Sequence, residues 1–220
     1  GSKIFTKKIC KKYKIPTANF KIFESLDDAK EYLTNSKYPI VIKSDGLAAG
    51  KGVYICKNYA EGEIAAKEIF SGKFGIAKEL LVEEFLSGEE MSYFVICDGK
   101  DYKFFGTAQD HKRVGEGDRG KNTGGMGCYS PSRLFNSKLV EKINMKIVNP
   151  TLNAINELGT SYKGFLYVGL MIKDNEPYLV EFNVRMGDPE CQTILPKLKT
   201  NLVDIILACC DQKLDKIDIE

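Results

Sequence analysis

The sequence predicts an α+β protein of two lobes, and three observations support this fold class. First, a chain of 220 residues is long enough for one sizeable domain or two small lobes. Second, the first part of the chain reads β-α-β-β-α around a glycine-rich hairpin, which is a plausible small lobe. Third, the later strands follow one another across short polar turns, with helices between and after them.

The elements of the first lobe are predicted from local signals. The predicted helices are 3–14, 26–33 and 61–70, and the predicted strands are 40–42, 53–55 and 80–85. Pro16 ends the first helix because proline cannot continue it. Ser25 is a typical N-cap, and two aspartates follow it in the first turn of the second helix. The β-branched residues at 40–42 and 53–55 are typical of buried strands.

The second lobe is predicted to contain four further strands and three helices. The strands are 91–97, 102–108, 164–172 and 178–183, and the helices are 137–158, 189–197 and 201–214. Polar turns at 98–100 and 174–175 join the strands in pairs. Pro150 is expected to kink or divide the long helix. Residues 109–132 form a glycine-rich loop that is either functional or disordered, and its density of charge favours a function.

Composition narrows the class of protein. The formal net charge of +2 gives no electrostatic case for binding nucleic acid. The 7 cysteines form no CxxC pair, which is typical of reduced thiols in a cytoplasmic protein. The sequence contains no stretch of about 18 apolar residues and therefore predicts no membrane span. His111 is the only histidine, so a metal site would use oxygen ligands, which favours Mg²⁺ or Mn²⁺ over zinc.

The loop between the first two strands is a candidate phosphate site. It carries Gly46, Gly50 and Gly52, with Lys43 before it and Lys51 within it. Glycines allow main-chain N–H groups to converge on an anion, and ammonium groups favour phosphate. The spacing does not match a Walker A loop, which would open a helix rather than a strand. Two interpretations remain open: a hairpin flap over nucleotide phosphates, or an ordinary glycine-rich turn with solvated lysines.

The strand at 178–185 is a candidate metal site. Alternation with period two places Tyr178, Val180 and Phe182 on one face, and the polar residues on the other. Those polar residues are Glu181, Asn183 and Arg185. A carboxylate and an amide two residues apart present oxygens to one divalent cation, and the arginine is then available to an anion. The alternative is an exposed polar face, although the apolar run at 164–172 favours a buried sheet.

The segment VEEFLSGEEMS, residues 82–92, is a candidate nucleoside site. It follows a strand end with acidic residues, where main-chain groups can bind adenine and Glu90 can accept hydrogen bonds from ribose. The signal is weak by itself, because a strand end followed by an acidic turn is common.

Together these segments resemble the ATP-grasp superfamily, and more specific motifs are similar to the glycinamide ribonucleotide synthetase family within it. Those motifs are SDGLAAGKGV, VEEFLSGEE, QDHKRVGEGDRGKNTGGMGCYSP, GFLYVGLMI and EFNVRMGDPE. The similarity runs essentially from residue 2 to the final helix. The DHKR loop and the RMGDPE turn are far more specific than the lysine flap.

The resemblance implies an ATP-grasp fold, with the nucleotide held between the β-sheets of two lobes. It implies that glycine and 5-phosphoribosylamine are joined at the expense of ATP through glycyl phosphate, with Mg²⁺ or Mn²⁺, in purine biosynthesis. Matching positions assign site residues. The residues expected to bind the phosphates are Lys43, Gly50, Lys51 and Gly52, and those expected to bind adenine are Glu83, Glu84, Phe85 and Leu86. Glu90 is expected to bind ribose, and Glu181 and Asn183 the metal ion. The expected catalytic residues are Asp110 and Arg185 on the acceptor side, and Lys43 and Lys51, which act on the transferred phosphate.

The resemblance also implies a division of the chain. Residues 1–20 are expected to be an opening helix and connection, 21–86 the small lobe with the flap, and 87–220 the large lobe. The N-terminal and C-terminal domains of the family are expected to be absent from this chain. Those domains are therefore the expected protein partners, and no binding to nucleic acid or membrane is expected. Gly169 stands where many ATP-grasp enzymes carry a further acid, which leaves the number of metal ions open. Alternatives are another ATP-grasp carboxylate–amine ligase, or a nucleotide-binding module without activity.

Overall fold

The computed structural model describes residues 2–46, 52–75, 78–111, 113–116, 119–123 and 127–220, with the main chain alone at 113 and 119–122. The described chain forms two compact units, Gly1–Ser87 and Gly88–Glu220.

The first unit is a four-stranded antiparallel sheet with three helices. Its elements are α1 (Lys3–Tyr13), β1 (Phe20–Phe23), α2 (Leu26–Thr34), β2 (Ile40–Ser44), β3 (Val53–Cys56), α3 (Tyr59–Phe70) and β4 (Leu80–Glu84). The strand order is β1-β4-β2-β3. The predicted β-α-β-β-α order is therefore confirmed, and β4 completes the sheet by inserting between β1 and β2.

Side-chain caps begin each helix of this unit. Ser2 accepts a hydrogen bond from the main-chain N–H of Phe5, and Ser25 accepts one from Asp28, so the predicted Ser25 cap is confirmed. Asn58 caps α3 in the same way, so that helix begins at Tyr59, slightly before the predicted start.

The two faces of the first sheet differ in chemistry. One face carries Ile40, Ile42 and Val82, which pack in a core with α2 and α3. The opposite face is called here the lysine face. The register pairs define its members as Val41, Lys43, Val53, Ile55, Leu81 and Glu83. This face therefore combines charged and apolar side chains on adjacent strands.

The second unit is built on a five-stranded antiparallel sheet of order β11-β10-β5-β6-β9. Its strands are β5 (Glu89–Asp98), β6 (Tyr102–Asp110), β7 (Arg113–Gly115), β8 (Arg119–Asn122), β9 (Cys128–Tyr129), β10 (Lys163–Lys173) and β11 (Glu176–Asn183). Its α-helices are α4 (Ser137–Ile143), α5 (Asn149–Glu157), α6 (Glu190–Ile194) and α7 (Leu202–Cys210). The four predicted strands correspond to β5, β6, β10 and β11.

A β-bulge at Val180 corrects the predicted alternation along β11. Gly169 pairs with Glu181, whereas the adjacent Leu170 pairs with Leu179, so Val180 is the extra residue. Tyr178 therefore shares the face of Glu181, although strict alternation predicts the opposite face. Glu181 and Asn183 share a face as predicted, because no bulge lies between them.

Two further predictions are corrected by the structure. The loop predicted at 109–132 contains the β7–β8 hairpin, and β9 pairs with the end of β6. Glycine and charged residues predominate in this segment, so no apolar alternation predicts these strands. Val114 of β7 is 74% exposed. The long helix is divided, as Pro150 predicts, but a π-helical turn at Asn144–Val148 joins its two halves.

The terminal helices cover part of one face of the second sheet. Ile194 of α6 and Ile205 of α7 pack in a core with Phe94 and Ile96 of β5. Because side chains alternate along a strand, Ser92 lies on the same face, nearer the start of β5. Among the described helices, none combines the length and hydropathy that a bilayer crossing requires.

Candidate active site

Lys43 lies in a buried ionic cluster on the lysine face. Its Nζ is 3.0 Å from Oε1 of Glu83, and Nζ of Lys7 on α1 is 3.2 Å from Oε2 of the same carboxylate. The three side chains are at most 9% exposed. Oε1 of Glu83 accepts no hydrogen bond within the described residues, so its contact with Lys43 is ionic only. We call these residues the Lys7–Glu83–Lys43 cluster.

Burial shapes the protonation of this cluster. It lowers the pKa of Lys7, since desolvation disfavours the ammonium form, and the charge of Lys43 acts in the same direction. Glu83 opposes both effects. Lys7 also donates a hydrogen bond of 2.5 Å to Oγ1 of Thr17. Lysines at 7, 8, 11, 12 and 14 form a pattern that predicts a solvated helix face, so the burial of Lys7 is a further correction.

The base of the glycine hairpin is tied to the start of α1. Asp45 accepts hydrogen bonds from Oγ of Ser2 at 2.9 Å and from the main-chain N–H of Ile4 at 3.0 Å. Burial opposes the ionisation of Asp45, but these hydrogen bonds hold its pKa below the usual value. Gly52 is buried, and its carbonyl accepts from the N–H of Ser44 at 2.8 Å.

Two of the predicted flap residues, Gly50 and Lys51, lie outside the described residues. Their assignment to phosphate stays a prediction.

The predicted adenine segment begins inside β4 and continues past its end. The Glu83 carboxylate is held in the ionic cluster. The Glu84 carboxylate accepts hydrogen bonds from the N–H and Nδ2 of Asn19, at 2.9 and 3.0 Å. Phe85 is 41% exposed and Leu86 is half-buried. Both glutamate side chains are therefore engaged within the first unit.

In the second unit, a small open cavity of about 80 Å³ brings together predicted residues from separate strands. Its lining comprises Glu90, Met91, Ser92, Asp110, Tyr167, Gly169, Leu170, Val180 and Glu181. Of these, Glu90, Asp110 and Glu181 are predicted site residues that lie far apart in the sequence. Antiparallel pairing explains their proximity, because β6 and β10 both pair with β5, and β10 pairs with β11.

A buried glutamate that the sequence analysis did not single out lies beside this cavity. Oγ of Ser92 donates to Oε1 of Glu190 at 2.9 Å and also lies 3.3 Å from the hydroxyl of Tyr167. A Cβ on Gly187 would lie 2.1 Å from Oε2 of Glu190, so the missing side chain makes room for that carboxylate. Ser92 follows Glu90 by two residues on the same strand, and this spacing could have predicted that the serine shares a face with Glu90.

Asn183 and Arg185 lie at the end of β11. Nδ2 of Asn183 donates to Oε1 of Glu181 at 3.0 Å, so the predicted metal ligands are in direct contact. Arg185 lies beyond the strand, is exposed, and donates to the carbonyl of Met186 at 2.8 Å. The structure therefore does not bring Arg185 into the cavity lining.

The donor set at Glu181 and Asn183 fits a hard divalent cation. It offers one carboxylate and one amide oxygen, and Mg²⁺ is commonly bound by one or two carboxylates while keeping several waters. The cavity at Glu181 has room for several waters, since each needs about 10–15 Å³. Among the described side chains, no cluster of three or more histidine, cysteine, aspartate or glutamate residues could enclose a metal ion by itself. Water and substrate oxygens would complete the coordination.

Comparisons with known proteins show the family to which the chain belongs. The family described as the ATP-grasp (A) domain of phosphoribosylglycinamide synthetase matches residues 1–191. A phosphoribosylamine–glycine ligase of Mesorhizobium japonicum is 49% identical over 97% of this chain and 51% of its own length. The chain thus spans about half the length of the curated relatives it matches.

Solved structures show the same fold. The crystal structure of phosphoribosylamine–glycine ligase from Thermotoga maritima has a TM-score of 0.88 and 36% identity, covering 96% of this chain and 54% of that one. A biotin carboxylase domain from Hydrogenobacter thermophilus, crystallised with MgADP, has a TM-score of 0.70 at 20% identity, over 96% of this chain and 45% of its own. The predicted α+β ATP-grasp fold is confirmed. The chain belongs to the phosphoribosylglycinamide synthetase family and matches its ATP-grasp domain.

Proposed function

We propose that this chain supplies the ATP-binding part of a ligase that joins glycine to 5-phosphoribosylamine, giving glycinamide ribonucleotide, ADP and phosphate. The observation that carries the proposal is 49% identity to a phosphoribosylamine–glycine ligase over 97% of the chain. The positions of the candidate residues in each unit support it.

On the first unit, the lysine face is assigned to the nucleotide. Lys43 is assigned to the phosphates, with Lys51 and the main chain of Gly50 and Gly52. Val53 and Ile55 lie on the same face and are 42% and 55% exposed, which suits contact with a purine ring. Since the Glu83 and Glu84 carboxylates are engaged, we assign adenine recognition to the main chain of residues 83–86.

On the second unit, Glu181 and Asn183 are assigned to Mg²⁺, with Mn²⁺ as an alternative ion. When bound, the ion neutralises charge on the phosphoryl group that is transferred. Glu90 is assigned to ribose hydroxyls. Asp110, in the cavity, and Arg185, exposed beyond β11, are assigned to the acceptor substrates.

The chemistry requires two anions to approach each other, because the glycine carboxylate attacks the γ-phosphate of ATP. The ammonium groups of Lys43 and Lys51 lower that repulsion, and neutralisation should be the largest contribution of the protein. The amine of phosphoribosylamine then attacks the carbonyl carbon of glycyl phosphate, and phosphate leaves. The residues act by binding and orientation, and no protein nucleophile is required.

The complete reaction, its two substrates and a cytoplasmic location are part of the proposal. We expect the segments that complete the relatives to contribute to holding phosphoribosylamine. Loss of such positioning can cost several powers of ten in rate. The 220-residue chain is therefore expected to bind ATP but to ligate slowly.

A chimera tests the proposal directly. The matched half of the Mesorhizobium japonicum ligase is replaced by this chain, and ADP formation that depends on both glycine and phosphoribosylamine is measured. The same chimera with Glu181→Ala is the control for the metal site. ADP formation with another carboxylate in place of glycine would favour a different carboxylate–amine ligase. A folded chimera that binds no ATP would contradict the assignment as a whole.

A further inference from the structure

The Lys7–Glu83–Lys43 cluster carries a net positive charge inside the first unit. Two ammonium groups and one carboxylate leave one positive charge uncompensated within the cluster, and all three side chains are at most 9% exposed. A buried charge without a counter-charge is costly, so such a cluster favours an anion beside it.

The members of the cluster come from three separate elements. Glu83 is on β4, Lys43 on β2 and Lys7 on α1, and each ammonium contacts a different oxygen of the one carboxylate. Lys7 is further fixed by its hydrogen bond to Thr17, and its Nζ lies 5.6 Å from the centroid of the Phe20 ring. This position is built by tertiary packing.

From this geometry we infer that Lys7 is a positioning residue for nucleotide binding: it shares the Glu83 carboxylate, so that the charge of Lys43 is available to the phosphates. This inference rests on the proposed function. Without Lys7, Glu83 and Lys43 would form a neutral buried pair, and a phosphate would have to compete with the carboxylate for Lys43. With Lys7 present, one positive charge remains after the carboxylate is satisfied.

The protonation of Lys7 is consistent with this role. Its pKa is lowered first by burial and also by the charge of Lys43, while Glu83 on β4 and Cys10 on α1 raise it. An anion bound beside Lys43 would offset the repulsion between the two lysines. Binding of phosphate and retention of the proton on Lys7 should therefore support each other.

The experiment measures by calorimetry how tightly the 220-residue chain binds two ligands in the presence of Mg²⁺. The ligands are a non-hydrolysable ATP analogue and adenosine. Lys7→Met should weaken binding of the analogue about tenfold, because residues in one charged network are coupled. It should leave adenosine affinity within about twofold, since adenosine carries no phosphate. Lys7→Arg, which keeps the charge, should restore most of the lost affinity.

Lys8→Met is the matched control. It removes the same charge from the same helix, but Lys8 is 62% exposed and its Nζ is 3.7 Å from Glu79. It should leave both affinities unchanged, and urea unfolding reports whether each variant remains folded. Equal binding of the analogue by Lys7→Met and wild type would overturn the inference, as would an equal loss for the analogue and adenosine. Failure of the wild-type chain to bind the analogue would instead contradict the proposed function.

Discussion

Gly169 and Glu181 face each other across β10 and β11, directly beside the bulge at Val180. A Cβ on Gly169 would lie 3.3 Å from Cγ of Glu181 and 3.0 Å from Cε1 of Tyr167. The position at which many ATP-grasp enzymes carry an acid is therefore closely surrounded in this protein. Space for the Glu181 side chain depends on the absence of a side chain at Gly169.

Gly169→Ala should disturb the metal site more than the fold. The added methyl group meets the ring of Tyr167 and Cγ of Glu181, which must give way, and overpacking of this kind costs about 1–3 kcal/mol. We expect Mg²⁺-dependent binding of the ATP analogue to weaken several-fold, as measured by calorimetry. Urea unfolding provides the control for stability. Unchanged affinity would mean that the position of Glu181 does not matter for the ion.

Glu181→Ala should remove most of the Mg²⁺ dependence of nucleotide binding. It removes the carboxylate of the donor pair, which neither water nor the Asn183 amide can replace as an anion. We expect the gain in affinity produced by Mg²⁺ to fall about tenfold, or 1.4 kcal/mol. Glu176→Ala, at the other end of β11, is the matched control, since Glu176 pairs with Lys142 and Lys146. Equal Mg²⁺ dependence in both variants would refute the metal assignment.

Lys43→Met should weaken binding of the ATP analogue by about 10–100-fold, because a hydrogen bond to a charged group contributes about 1.5–3 kcal/mol. The fold should persist, since Lys7 and Glu83 remain as a neutral buried pair. Lys21→Met on β1 is the matched control, because Lys21 is exposed and pairs with Val82 on the other face of the same sheet. Calorimetry measures the affinities, and a similar loss in both variants would argue against a direct contact of Lys43 with phosphate.

Alkaline pH should destabilise the second unit through a buried thiol. Burial raises the pKa of Cys97 from 9.0 to about 12. Above pH 9 the thiol ionises in the unfolded chain but stays protonated in the folded chain, so unfolding releases a proton and stability falls as pH rises. Cys97 should contribute a slope of about 1.4 kcal/mol per pH unit between pH 9 and its folded pKa.

The measurement is urea unfolding of wild type and Cys97→Ala between pH 7.5 and 10. The variant should be less stable at pH 7.5, because it leaves a small cavity on β5. The difference between the two proteins should shrink above pH 9. A constant difference across this range would show that Cys97 is not ionised by unfolding.

Features set by local chemistry could be predicted from the sequence. The Ser25 cap, the hairpin turn at Asp174-Asn175 and the division at Pro150 each depend on a few adjacent residues. The position of Glu181 and Asn183 on one face of β11 also follows from local alternation. These features need no knowledge of distant contacts.

Features set by distant contacts could not be predicted in the same way. The burial of Lys7 depends on Glu83, which follows it by most of the first unit. In the sequence, Lys7 is one of several lysines with helical spacing, and nothing distinguishes it from Lys8. Glu190 likewise contacts Ser92 only because the terminal helices return to the sheet. The family motifs indicated candidate residues, but the contacts among them could be seen only in the fold.

The bulge at Val180 separates a buried position from a cavity position along one short strand. Leu179 is buried in the core, whereas Glu181 lines a cavity together with Glu90 and Asp110. If Val180 were instead paired in regular alternation, Leu179 and Glu181 would lie on the same face of the sheet. Either the leucine would enter the cavity or the glutamate would enter the core, although every side chain was retained. In this strand, the proposed binding site therefore depends on irregular pairing as much as on the identity of the residues.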